Sequence, residues 1–68
     1  MVATKIIHPN GEIEFGLNNE RPYSNKTVRK ILNLERTKEP EDFNFGNHCV
    51  HVVHTIMGTY IIILTEKL

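Results

Sequence analysis

Residues 49–64, CVHVVHTIMGTYIIIL, are the most apolar run in the chain and the richest in β-branched side chains, and one glycine, Gly58, interrupts them. Such side chains fit a pleated, half-buried surface, so the run predicts two strands joined at the glycine. With Gly58-Thr59 as a two-residue loop, glycine first in the type II′ manner, Thr55 faces Ile62, Val53 faces Leu64 and His51 faces Glu66. Val52, Ile56, Ile61 and Ile63 fall on the other side. Both sides are apolar at their centres, so this hairpin, residues 48–66, needs two covers. The chain has 68 residues, and a domain of that size buries only about 60% of the surface its unfolded chain exposes. It is one domain with little core to spare. The expectation is a homodimer in which Tyr60, Ile61, Ile62 and Ile63 supply the interface.

A second hairpin is written at the other end, residues 4–17. Asn10-Gly11 between alternating segments is the strongest short hairpin signal, because a type I′ turn needs positive φ at both central residues. With those two as the loop, His8 faces Ile13, Ile6 faces Phe15 and Thr4 faces Leu17, which puts Ile6, Ile13, Phe15 and Leu17 together on a buried face. Lys5, Ile7, Glu12 and Glu14 take the wet one.

Between the hairpins, residues 24–35 read as a helix. Ser24 can cap it, Tyr23 can staple onto Val28, and Val28, Ile31 and Leu32 form the apolar stripe. Pro40 stops it, and residues 36–47 read as a connection in which Phe43 and Phe45 either pin the segment to the core or begin a third strand. The fold class is therefore α+β, in the order ββαββ, with one helix packed on an antiparallel sheet.

Formal net charge is zero. Residues 1–38 carry seven Lys/Arg against four Glu, a surplus of three, and residues 39–68 carry one Lys against four acids, a deficit of three. Zero net charge disfavours a strong nucleic-acid binder, whose affinity is mostly phosphate neutralisation. The lone cysteine, Cys49, excludes an internal disulfide and suits a reducing compartment. No leader peptide is visible, and the apolar run is too short and polar to span a bilayer. The chain is expected in the cytoplasm, away from membranes.

His48, His51 and His54 stand close to Cys49 in sequence. On a strand, however, His48 and His54 lie roughly 20 Å apart and His51 points the opposite way. Zinc needs its ligands to converge on one point, so no metal or other cofactor is expected. A Cys49–His51 nucleophile pair lacks an orienting third group and an oxyanion site, and no phosphate-cradling glycine loop occurs. The expectation is a protein that is not an enzyme.

What remains is surface recognition. Lys26, Arg29 and Lys30 form the helix's polar face, and Glu41, Asp42 and Phe43 lie on the connection. Residues 24–32, SNKTVRKIL, resemble the recognition helix of helix-turn-helix regulators, which implies contact with nucleic acid through Lys26, Arg29 and Lys30. The resemblance covers nine residues, and the place of the preceding helix is taken by residues 13–22, IEFGLNNERP, part of the hairpin. Three functions follow. The first is a small regulatory protein acting through protein–protein contact, of the kind phages and mobile elements direct against a host; the isoleucine- and asparagine-rich composition suits such an AT-rich source. The second is a nucleic-acid-binding regulator. The third is a binder of a small nucleotide-like ligand at a subunit junction near His48, His54 and Tyr60.

Overall fold

A computed structural model describes residues 2–18 and 25–66, apart from the side chains of Asn18 and Glu66. The apolar run does form two strands, β4 (His48–Thr55) and β5 (Gly58–Glu66). Their loop is Ile56-Met57 rather than Gly58-Thr59, and Thr55 pairs with Gly58, Val53 with Tyr60 and His51 with Ile62. The expected His51–Glu66 pair is therefore absent, and Val2 stands opposite Glu66 instead. Local hydrogen bonds account for the choice. The Thr55 hydroxyl accepts from the Met57 N–H and donates to the Gly58 carbonyl. On the outer side, the Ile56 N–H donates to Glu35 and the Thr37 N–H to the His54 carbonyl, which ties the turn to residues 35–37. Gly58 follows the turn at φ 114°, and a Cβ there would lie 2.7 Å from the Pro9 side chain, so the loops of the two hairpins meet where only glycine fits.

The N-terminal hairpin pairs β1 (Val2–Ile7) with β2 (Ile13–Asn18), but one position away from the expected register: Ile7 faces Ile13, Ile6 faces Glu14 and Lys5 faces Phe15. Pro9 is the cause. Its ring fixes φ near −65°, which places it at the first corner of an ordinary turn, closed by the Gly11 N–H donating to His8. Asn10 keeps negative φ, and only Gly11 takes a positive value, 90°. This is a three-residue loop with a bulged glycine, the next commonest hairpin after the two-residue forms. A one-residue slip turns every side chain of a strand to the other face. Ile13, Phe15 and Leu17 thus leave Ile6, which lies in the core, and stand exposed.

The helix, α1, runs Lys26–Leu32, shorter than expected, and Asn25 caps it by accepting from the Thr27 and Val28 N–H groups. Ser24 and Tyr23, the expected cap and staple, lie outside the described residues. Gly16 of β2 sits under this cap, where a Cβ would come 2.9 Å from the Asn25 amide. Residues expected as connection form a fifth strand, β3 (Glu41–Phe45), joined to β4 through Gly46-Asn47. Gly46, at φ 61°, supplies the glycine-first loop expected further along.

The five strands make one antiparallel sheet ordered β2-β1-β5-β4-β3. Helix α1 covers one face of it: Val28 and Ile31 pack with Val2, Ile6, Val53, Ile62 and Leu64, and Tyr60 lies against them. No other described element lies on the second face.

Candidate binding face

The register fixes what the uncovered face presents, because directly opposed residues share a side. One row across the sheet reads Ile13, Ile7, Ile61, Val52, Glu41. The next reads Phe15, Lys5, Ile63, Val50, Phe43, and the third Leu17, Ala3, Thr65, His48, Phe45. Apolar side chains fill eleven of these fifteen places. The edges stand proudest, with Phe15 74% and Phe45 73% exposed. Val50, in the middle, is buried although it belongs to the uncovered side. A concavity of about 870 Å³ opens beside Phe15, Leu17, Lys5, Ile63 and His48. Ligand pockets run from about 300 to 1,000 Å³, but they enclose their occupants; this one is an open trough between strand edges. The Lys5 ammonium lies 5.8 Å from the Phe15 ring centre, in cation–π range.

All four histidines lie against a neighbouring strand. His51 Nδ1–H donates to Asp42 Oδ1 at 2.6 Å, and His54 Nε2–H donates to Glu41 Oε2 at 2.8 Å, so both join edge strand β3 to β4. His8 lies 3.8 Å from Glu14 of β2, and His48 pairs with Thr65 on β5. Among the described residues no three His, Cys, Asp or Glu side chains converge as a metal site would require. Asp42 does orient His51, which the sequence did not foresee, and exposed Cys49 lies two residues away on the same face.

The Glu41 carboxyl is held below its ordinary value of 4.5 by the His54 hydrogen bond and then by nearby Lys38. A carboxylate favoured in the folded state stabilises it above the ordinary value, and that contribution is lost as pH falls through the lowered one. Glu41→Gln is therefore expected to speed amide exchange in β3 at pH 7, with the difference from wild type shrinking as pH falls below the ordinary value of 4.5 and through the lowered one. An undiminished difference at pH 3 would show that the pair does not secure the strand.

The expected site residues are redistributed. Lys26, Arg29 and Lys30 are exposed on the helix. Glu41 and Phe43 lie on the uncovered face, whereas Asp42 lies on the helix side. Of the four expected interface residues, Ile61 and Ile63 are on the uncovered face. Ile62 is 1% exposed beneath the helix, and Tyr60 shares that side. Tyr60 is also parted from His48 and His54, and packs edge-on against His8. The junction site imagined around those three is not assembled in one chain. The strand β2 where a helix-turn-helix would have its first helix limits that resemblance to α1 alone. Sequence reasoning missed Phe15, Leu17 and Ile13 as surface residues; Pro9 beside Asn-Gly was the available signal. No helix among the described residues is long and apolar enough to cross a membrane. No family model, curated protein or solved structure matches the chain.

Proposed function

We propose that this chain is a small non-enzymatic binding protein that works through protein–protein contact, with the uncovered face of its sheet as the docking surface. The observation that carries this reading is the set of three apolar rows left bare by a single seven-residue helix. Contiguous exposed apolar surface rimmed by polar groups marks interaction sites. Among the described residues the face carries one lysine, Lys5, and one carboxylate, Glu41, which gives no charge surplus for a phosphate backbone. Nucleic-acid contact would instead use Lys26, Arg29 and Lys30 on the opposite side, the second reading.

One experiment separates the two. Tagged wild-type protein, Ile63→Lys and the double variant Arg29→Glu, Lys30→Glu are compared for capture of protein from a lysate of the source cells and for binding of labelled random duplex and single strand. The expected result is capture lost in Ile63→Lys and kept in the helix variant, with no salt-steep nucleic-acid binding at low micromolar protein. Binding that falls steeply with salt and disappears in the helix variant would overturn the reading in favour of the second.

A further inference from the structure

Resting on that reading, we infer that the occupant of the uncovered face is a second copy of this chain, packed sheet against sheet about a two-fold axis parallel to β5, so that β2 of one copy lies over β3 of the other. Area is the first argument. The chain exposes 4999 Å², while a compact monomer of 7.9 kDa exposes roughly 4400 Å². The bare face measures roughly 24 by 20 Å from five strands and three rows at ordinary spacings. With side-chain relief that footprint approaches the ~800 Å² each partner gives to a standard interface.

Self-complementarity is the second argument. Aligned sheets pack about 10 Å apart with strands within about 30° of each other. A two-fold along β5 keeps the rows level and exchanges the edges. Phe15 then meets the partner's Phe43, Leu17 meets the partner's Phe45, and Ile61 and Ile63 meet their own counterparts on the axis. Such an isologous contact closes on itself.

Charge decides between the two-folds. An axis across the strands would set Lys5 against its own copy inside an apolar contact, since Lys5 lies in the middle row. The axis along β5 sets Lys5 over Val50, one strand and one row from the partner's Glu41 and within reach of it. Like charges are kept apart and opposite ones drawn together.

The test uses complementary rim variants. Light scattering of the wild type at tens of micromolar should give twice 7.9 kDa. Phe15→Glu alone and Phe43→Lys alone should each run as folded monomers, because both positions are exposed at sheet edges. Mixed one to one, they should recover the dimer, since only β2-over-β3 packing pairs the new carboxylate with the new ammonium while leaving one Phe15–Phe43 contact intact. If either variant is unfolded by circular dichroism, Phe15→Gln and Phe43→Gln keep the single-variant test. A wild-type monomer overturns the inference while leaving the protein-binding reading to its own capture experiment. A wild-type dimer whose rim variants stay dimeric, or fail to recover on mixing, overturns the β2-over-β3 arrangement.

Discussion

Ile62→Ala should leave most of the population unfolded at 25 °C. Ile62 is 1% exposed in the middle of β5, between Ile6 of β1 and His51 of β4, with α1 over it. Truncating a buried isoleucine costs about 2–5 kcal/mol, counting lost transfer energy and the cavity left behind. A domain below about 70 residues rarely has more than ~3–5 kcal/mol of stability from its core. The loss is thus comparable to the whole. The adjacent change, Ile63→Ala, removes the same atoms from the other face. On the separated chain it should cost about 1 kcal/mol, an ordinary substitution. Urea titration at submicromolar protein, where association is minimal, gives the comparison. Equal midpoints for the two variants would mean that the faces of β5 are assigned wrongly.

Val28→Asp should abolish the fold altogether. Val28 is 0% exposed and, with Ile31, anchors α1. An unpaired carboxylate there must either ionise in an apolar setting or take up a proton, and either costs several kcal/mol. The helix has no independent existence, because seven residues are well short of the ~12–15 at which isolated helices become even marginal. Its loss uncovers Ile6, Val53 and Ile62 together. Arg29→Glu, one position further, changes charge on the exposed side and should leave the far-UV spectrum intact. Retention of protected amides in β1 and β5 of Val28→Asp would show that the sheet holds without its helix.

The two hairpins explain how much of this was legible. In β4 and β5 the expected pairing is off by four positions in total, yet every residue that stays within the two strands keeps its expected face, because an even shift preserves the side-chain alternation. The apolar run therefore declared both its strands and its two-sided character. The helix's inward residues, Val28 and Ile31, were equally readable from their spacing. In the N-terminal hairpin the shift is odd, and the whole apolar set of β2 moves from core to surface. The bare face is as large as it is because of that one step.

The sequence by itself determined which segments alternate, which residues share a side within each strand, and that one short helix could not cover everything apolar. Tertiary structure decided which sides of different strands coincide. It did so through Pro9 at the corner of its turn, through the meeting of Pro9 with Gly58, and through the Glu35 and Thr37 backbone bonds that fix the β4–β5 loop. It also decided that Glu41–Phe45 pairs with β4, where two histidine–carboxylate contacts hold a segment whose side chains are all exposed. The physical reason is that alternation is a property of one strand, set by local backbone geometry. Register is a relation between strands, set by loop conformation and contacts distant in sequence.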